Sequence, residues 1–537
     1  MITLLLASAL MAGSLVGTPP LIIDAGRADR VQTPNLPPQT SEKPVETRSA
    51  TLSRVDATGS DQPIKGIRFI GDLVPAPVAH AAERFVGQPA RRDTLEKLAA
   101  AMSQAYATSD VALYTVAIPD QNLSGGRVIV RVAQGFIEGI TYPDGSTPLI
   151  RAYAQHLLGM RPLRRSALER ELSLMRDIAG ATVNADLLRG RQPGGVVLSL
   201  KVKRKRLDGS LAYDNTRSQL LGNGQFNATL SGNSLLRDGD ETKLNVMVAR
   251  NFHSFVYTGL THSTPLGSDG LKLTLTGAYL KTQVDAYDLQ GHAVVGGASL
   301  SYPVIRGYRR NLTVSLGMDL LNSDAALFGT VASSDHIRTL RMAAGYSWAG
   351  KKTVWSLGST LSKGLTVLGS RGMVGQSDPR FLKVNASGSY DRAFGKHVVL
   401  RLKAQGQYSG NQLPATERIA FGGNDYGRAF DTAAITADSG AAGSVELAIR
   451  PKLGKRLNGT EIYGFADHAK LRINERLGYA ASSWDLGSAG GGIRLAWNDW
   501  AVIGVEGAKA VTDPFHGALG NWRVNVSWKI SRPKSRL

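Results

Sequence analysis

Trp522-Arg523-Val524-Asn525-Val526-Ser527-Trp528-Lys529-Ile530 alternates without a break between apolar or aromatic residues and polar or charged ones. A period of two marks a β-strand, in which successive side chains leave opposite faces of the sheet. One face here carries Trp, Val and Ile, the other Arg, Asn and Lys. Such a strand suits a wall with lipid on one side and water on the other. In a hydrocarbon phase every backbone N–H and C=O must find a partner within the protein, so a sheet placed there closes on itself.

The same alternation recurs towards the N-terminus. Leu271, Leu273 and Leu275 interleave with Lys272, Thr274 and Thr276, and Leu312, Val314 and Leu316 with Thr313 and Ser315. Val398, Leu400 and Leu402 interleave with Arg401, Lys403 and Gln405, and Val445, Leu447 and Ile449 with Glu446 and Ala448. About sixteen such strands fit after Leu207, a sensible spacing for a transmembrane barrel. An even number returns the chain to the side it entered from, as soluble modules in front require. Trp497-Asn498-Asp499-Trp500 reads as a tight hairpin turn with Trp at the interface on either side. A water-soluble sandwich would want a dry inner face, whereas these polar faces hold Arg, Lys, Glu and Gln. The fold expected is mainly β, with a sixteen-stranded transmembrane β-barrel over residues 207–537.

Residues 62–206 contain an internal duplication of strand, helix, helix, strand, strand. The first copy, 62–135, runs Ile64 to Ile70, Ala76 to Val86, Asp93 to Ala107, Ala112 to Ile118 and Arg127 to Ala133. The second, 136–206, runs Phe136 to Tyr142, Pro148 to Leu158, Ser166 to Ile178, Ala181 to Leu188 and Gly195 to Val202. Asp93 with Glu96, and Ser166 with Glu169, read as capping boxes opening the second helix of each copy. Leu95, Leu98, Ala99 and Met102 then recur at helical spacing, as do Leu168, Leu172 and Met175. Gly87 and Gly159 end the preceding helices in matching places. Two small α+β modules are expected.

Before them, the apolar run Met1–Gly17 is too short for a comfortable membrane helix and suits the core of a signal peptide, although the usual preceding basic residues are missing. Residues 18–61 read as an N-terminal segment and Pro-rich linker, with Leu21–Val31 able to form a helical turn or two. The absence of cysteine is compatible with the bacterial envelope. The formal charge of +20 is spread through strands and turns and not gathered on one helix or tail, so no nucleic-acid partner is expected. The nine histidines are scattered without metal-ligand spacing, and neither metal nor cofactor is expected. Ala437-Asp438-Ser439-Gly440 has no matching His arrangement, and Gly345 to Lys352 lacks the Ser/Thr and the helix of a phosphate loop. The chain is not read as an enzyme.

The long connection after Tyr408 contains Phe421-Gly422-Gly423-Asn424-Asp425-Tyr426-Gly427-Arg428-Ala429-Phe430-Asp431. Paired glycines followed by an Arg between small residues suggest a loop tip packed on other backbone. Tyr463-Gly464-Phe465-Ala466-Asp467 sets a carboxylate on a strand. An Arg from a folded-in loop and an Asp on the lumen wall could pair in a bidentate, charge-assisted contact.

At these residues the chain resembles the two-partner secretion transporters of Gram-negative outer membranes, the haemolysin activation and filamentous-haemagglutinin exporters. The resemblance covers nearly everything after the signal: Leu21–Val31 and the linker, two polypeptide-transport-associated (POTRA) modules and the barrel. Its loop-six motif falls on Gly422, Gly423, Arg428 and Phe430, and its Phe-x-Asp strand motif on Phe465 and Asp467. It implies that Arg428 reaches into the lumen and is held by Asp467. Two residues depart from the family pattern: Ala429 stands where the family has glycine, awkward if that position needs positive φ, and Gly427 stands where it has an apolar residue. Ile305-Arg306-Gly307-Tyr308 matches the motif more literally but sits in a short turn that cannot reach a lumen. The resemblance further implies an outer-membrane protein with its POTRA modules in the periplasm. They would hold an unfolded secreted exoprotein, which passes through the barrel without ATP, and the barrel wall would contact outer-membrane lipid. A barrel-assembly insertase of the same superfamily and a passive porin are the competing readings.

Overall fold

The computed structural model describes residues 52–216, 222–285, 288–327, 330–478, 480–498 and 500–531. The expected signal peptide, the Leu21–Val31 helical turns and Asp499 of the Trp497–Trp500 turn lie outside them. The chain divides into two compact units, one holding the modules and the other the barrel.

In the first module, β1 (Leu52–Val55), β2 (Gly66–Gly71), β3 (Tyr114–Ile118) and β4 (Arg127–Gln134) form one sheet in the order β1-β3-β4-β2. Helices α1 (Ala76–Glu83) and α2 (Arg92–Thr108) cover it. In the second, β5 (Phe136–Thr141), β6 (Ala181–Arg189) and β7 (Gly195–Arg204) are ordered β5-β7-β6, with α3 (Pro148–Gln155) and α4 (Arg165–Arg176). The copies correspond strand for strand: β2 is parallel to β4 as β5 is to β7, and β3 is antiparallel to β4 as β6 is to β7. They differ at one edge. β1, from the stretch read as linker, lies parallel beside β3, whereas among the described residues the equivalent edge of β6 is unpaired.

The helical periodicity identifies the core. Leu95, Leu98, Ala99 and Met102, and Leu168, Leu172 and Met175, are all buried, each large apolar side chain contributing about 1.5–3 kcal/mol. Gly87 and Gly159 have φ of 88° and 75°, and their N–H groups donate to Ile64 O (2.8 Å) and Ile137 O (3.1 Å), the same contact in both modules. The capping boxes do not form. Arg91 and Arg164 stand at the cap positions, and neither side chain bonds the N–H groups of the helix start. Asp93 is spent on Lys97, at 3.5 Å. The start of α4 is satisfied from the preceding module, where Asp110 accepts from the Ser166 N–H (2.8 Å) and hydroxyl (2.9 Å). A carboxylate on a neighbouring segment has replaced the local cap.

The barrel closes with sixteen strands. Its first seven are β8 (Leu207–Asp214), β9 (Gln225–Asn233), β10 (Glu241–Ala249), β11 (Phe255–Pro265), β12 (Lys272–Val284), β13 (Leu289–Arg306) and β14 (Arg310–Leu327). Next come β15 (Thr330–Ala349), β16 (Thr353–Gly364), β17 (Leu382–Phe394) and β18 (Val398–Tyr408). After a small hairpin, β19 (Ile419–Phe421) with β20 (Ile435–Ala437), the wall resumes as β21 (Ser439–Ile449), β22 (Glu461–Ile473), β23 (Ser482–Trp497), β24 (Ala501–Ala510) and β25 (Trp522–Ser531). The opening stretch of sequence is therefore the closing strand: β25 pairs with β8, Trp528 opposite Tyr213 and Ile530 opposite Leu211. Above that short ladder Asn215 continues the closure, its amide donating to Val524 O (2.9 Å) and its side-chain oxygen accepting from Val526 N (2.7 Å). Ile305–Tyr308 lies at the end of β13 and in the turn before β14, and Gly350–Lys352 forms the turn between β15 and β16.

The alternation keeps its phase along each strand, but its chemistry inverts. On β22 the outward residues are Ile462, Gly464 and Ala466, then His468, Lys470 and Arg472, while the lumen face runs Glu461, Tyr463, Phe465 and Asp467, then Ala469, Leu471 and Ile473. Beside lipid the wall is apolar outside and polar inside. Beyond the lipid it is polar outside and packed inside. The same holds on β12, where Leu275 faces out, yet Ala278 and Leu280 face a lumen-side apolar cluster with Met247, Phe255, Tyr257 and Ala293. The lumen face therefore carries apolar packing as well as the charged and polar residues expected of it from the sequence.

Candidate functional site: the folded-in loop and its lumen receptor

The connection from β18 to β21 turns inward as the β19–β20 hairpin, and its tip bonds side chains of six strands, β21 to β25 and also β18, whose Lys403 lies 2.7 Å from Asp425. The register aligns those side chains in rows. Ser444, Asp467 and Ser488 lie side by side on β21, β22 and β23. Glu446, Phe465, Gly490, Ala508 and Arg523 form the next row, and Tyr463, Gly492, Glu506 and Asn525 the one below. A Cβ at Gly490 would run into Gly507 O, and one at Gly492 into Tyr463 Oη at 2.7 Å, so glycine keeps this stretch of wall flush.

Arg428 sits in this receptor with only 4% of its surface exposed. Its Nη1 donates to Glu506 Oε2 (3.0 Å) and Glu446 Oε2 (3.2 Å), and Nη2 to Ser444 Oγ (3.4 Å). The guanidinium carbon stands 4.1 Å from the centre of the Phe465 ring, a cation–π contact. Asp467 is close but does not form the bidentate pair the sequence suggested. Its Oδ2 lies 3.8 Å from Arg428 Nε with no hydrogen bond between them. Its Oδ1 instead accepts from the Gly427 N–H at 2.6 Å. The aspartate thus fixes the backbone next to the arginine, and two glutamates hold the guanidinium. Glu446 also pairs with Arg401 (2.9 Å) and Arg494 (2.7 Å), and Glu461 with Arg401 (2.7 Å) and Arg450 (2.9 Å), so the arginine joins an extended ion network.

The backbone of the tip explains its glycines. Gly422, Gly423 and Gly427 have φ of 118°, 98° and 70°. Gly422 N–H donates to Tyr426 O (3.0 Å) and Gly423 N–H to Phe430 O (3.2 Å), closing the tip on itself. A side chain at Gly422 would strike Asp431 O. Ala429 is not among the residues of positive φ, so its Cβ is no obstacle; Gly427 has taken that conformation two positions earlier. The Ala429 N–H donates to Ser488 Oγ (3.1 Å), and Phe430 is buried with Phe421, Tyr426 and Leu486.

Further anchors escaped the sequence reading. Asn525 Nδ2 donates to Arg428 O (3.1 Å), Arg523 pairs with Asp431, and the Thr432 N–H and hydroxyl both donate to Thr216 O (3.0 and 2.8 Å). The tip therefore touches both sides of the β25–β8 closure. At the stem, Glu417 lies between Arg341 (2.7 Å) and Lys383 (2.7 Å). Asp438, fully buried, accepts two bonds from Arg476 (2.7 and 2.9 Å) and one each from Leu413 N and Asn474 N. Asp438 of the Ala437–Gly440 stretch is this anchor. Among the described residues no group of three acidic, His or Cys side chains is placed to hold a metal. Glu446 was visible as a carboxylate on the water face of an amphipathic strand. Glu506 and Arg523 gave no signal separable from any other lumen charge.

Comparison with known proteins adds the following. A family model described as "Haemolysin secretion/activation protein ShlB/FhaC/HecB" matches residues 194–495, and one described as "POTRA domain, ShlB-type" matches residues 62–135. The heme/hemopexin transporter protein HuxB of Haemophilus influenzae (strain 86-028NP) is 21% identical over 387 residues, 69% of this chain and 68% of that one. The outer membrane transporter CdiB of Dickeya dadantii is 23% identical over 351 residues, 62% of each chain. Among solved structures, CdiB from Escherichia coli aligns with a TM-score of 0.72 at 18% identity, covering 88% of this chain and 90% of that one. BamA from Haemophilus ducreyi lacking POTRA domains 1-3 aligns at 0.51 and 14%, covering 88% of this chain and 100% of that one, a likeness of fold.

Proposed function

Because this chain belongs to the haemolysin secretion/activation family, the two-partner secretion transporters of the outer membrane, we propose that it takes its partner in the periplasm as an unfolded chain and passes it through the barrel lumen without ATP. The chain is an outer-membrane transporter of a partner protein, and the family's members are transporters, not enzymes.

The observation that carries the finer reading is the loop tip held by Arg428 inside a closed barrel. Arg428 is fixed by charge pairs and hydrogen bonds that can be exchanged for others, while Phe421, Tyr426 and Phe430 pack in one apolar cluster with Leu471 and Leu486, so release of the tip takes an exchange of polar partners and the parting of that cluster. Gly422, Gly423 and Phe430 shape the tip, Arg428 fastens it, and Asp467 with Glu446 and Glu506 receives it. The modules supply the capture surface. The β1 strand beside β3 is the chain's own example of a parallel strand laid on this edge, and the open edge of β6 offers the same place to a segment of the exoprotein. Main-chain bonds along such an edge give affinity and alternate side chains give selectivity. Folding of the emerged partner outside the cell would bias movement outward in the absence of nucleotide.

The test is export by purified transporter in nucleotide-free proteoliposomes containing the partner's secretion domain. Wild type should transport, while Arg428→Ala should cut transport and keep the barrel's heat-stable electrophoretic mobility. Normal transport by that variant would remove the loop from the mechanism. A strict requirement for ATP would overturn the energetic reading and leave the loop assignment standing.

A further inference from the structure

On the lipid-facing side of the barrel stands a group of three cations, Arg338, Lys363 and Arg371, none of which makes a direct ion pair with a described residue. The outward face of β15 runs Arg338, Leu340, Met342. Leu340 is opposite Lys363 of β16, Met342 opposite Leu361, and Lys363 in turn opposite Leu382 of β17. Leu340, Met342, Leu361, Leu382 and Val384 are exposed large apolar residues, as a lipid-facing band requires. With the modules in the periplasm, β8 enters from that side. β16, the ninth strand, therefore runs outward and ends just after Lys363, and Arg338 belongs to the outer half of β15. Both cations stand at the outer rim of the apolar band.

Arg371, from the connection that follows β16, joins them. Its Nη2 lies 3.2 Å from His336 Nε2 and 3.5 Å from Ser334 Oγ, and its backbone bridges to His336. Both side chains also meet Asp324, Ser334 Oγ donating to it at 2.6 Å and His336 Nε2 lying 3.9 Å away. Lys363 Nζ donates to Arg380 O (3.0 Å). Arg338 is 7% exposed, with Nε donating to Leu368 O (3.2 Å) and Nη1 to Leu321 O (3.0 Å), Ile337 O (3.0 Å) and Asn322 Oδ1 (2.9 Å). Its Nη2 takes no part in these bonds. No carboxylate of a described residue lies within 4.0 Å of a nitrogen of Arg338, Lys363 or Arg371. The contrast is local: neighbouring Arg380 has Asp378 at 3.7 Å, and Arg341, next to Leu340 but on the opposite face of β15, has Asp319 and Glu417 in the lumen.

Neutral oxygens orient Arg338 without neutralising it, and the two exposed cations beside it, Lys363 and Arg371, face the boundary between lipid and water. With Asp324 the one described carboxylate bonded to the side chains that Arg371 meets, the group of three cations keeps a net positive charge, which attracts anionic headgroups, and phosphate oxygens accept strong charge-assisted bonds from guanidinium and ammonium groups. We propose that this patch binds the phosphorylated headgroup of an outer-leaflet glycolipid, with the acyl chains lying on Leu340, Met342, Leu361 and Leu382. The occupant is a lipid because the cations and the apolar band form one continuous surface, and a free anion would use only the first.

The full-length protein in detergent, stripped of lipid, is titrated with a diphosphorylated acylated disaccharide and followed by native mass spectrometry. The Lys363→Gln/Arg371→Gln double variant should bind it roughly thirtyfold more weakly, from about a factor of five per cation near an anionic lipid surface. Removing the lipid's phosphates should weaken binding to the wild type similarly. Lys396→Gln, in the turn between β17 and β18, serves as a control with unchanged binding. Equal binding by wild type and double variant, equal binding of the dephosphorylated lipid, or the same loss in the control would overturn the proposal. Displacement of the lipid by inorganic phosphate alone at comparable concentration would overturn it too, by showing an anion site indifferent to the acyl chains.

Discussion

Along β10 to β13 the lumen-side row Met247, Tyr257, Leu280 and Ala293 is apolar and packed, whereas along β21 to β25 the facing rows gather Glu446, Asp467, Ser488, Glu506 and Asn525 around one arginine. Both surfaces are buried, by different physics. Apolar packing is non-directional and tolerates any neighbour of suitable shape. A desolvated carboxylate is stable only when its partner is in place, so removing one member leaves the other stranded. The charged wall therefore specifies the loop that lies on it, residue by residue, and the apolar wall specifies only that something apolar covers it. At the loop the two are combined: its hairpin packs Phe421, Tyr426 and Phe430 with Leu471 and Leu486, and its arginine is held by the charged rows, so the apolar contacts seat the hairpin and the ion pairs fix the position of its tip.

The sharpest way to break that contrast is to delete one member of a buried pair. Asp438→Ala leaves Arg476, whose side chain is 3% exposed, without its carboxylate and strands the N–H groups of Leu413 and Asn474. The expected loss is about 3–5 kcal/mol, read as a lowered midpoint of thermal unfolding in detergent. A loss under about 1 kcal/mol would mean that the loop root is held by its backbone and not by its charges.

On the apolar wall, Leu280→Ala should cost about 2–4 kcal/mol through lost burial and a residual cavity. Export should be unaffected once the protein is inserted. If export falls with stability intact, the apolar cluster takes part in transport and the division of labour fails. That such a cluster exists was not legible beforehand. A period of two tells which residues share a face, but not where along the strand the outside changes from lipid to water. Leu275 and Leu280 look equivalent in sequence and lie on opposite faces. The strands themselves, the duplicated modules and the helix cores were legible because each rests on local periodicity. The motif likewise marked Arg428 and Asp467 as neighbours. Their actual partners were not legible, because they depend on lateral register: Glu446, Phe465, Gly490, Ala508 and Arg523 share a row only after four hairpins have been aligned. The capping boxes failed for a related reason, since Asp110 reaches α4 from outside the local window on which such motifs depend.

The finest test concerns two neighbouring small residues in the loop tip. Gly427 has φ of 70°, and a Cβ there would come within 3.3 Å of Gly422 Cα and of the Leu486 side chain. Gly427→Ala should cost about 1–2 kcal/mol from the left-handed backbone alone. It should also loosen the 2.6 Å bond from its N–H to Asp467, which would show as more frequent opening in single-channel recordings. Ala429→Gly restores the residue the resembling family carries, yet Ala429 is not among the positive-φ residues and packs beside Tyr463 and Phe465. Its expected effect is a small loss of about 0.5–1 kcal/mol from added chain freedom and a missing methyl contact. The ranking matters more than either value. Should Ala429→Gly stabilise the tip while Gly427→Ala proves neutral, the turn would need its freedom after the arginine and not before it, and the aspartate's hold on the Gly427 N–H would lose its place as the feature that aims Arg428 at the two glutamates.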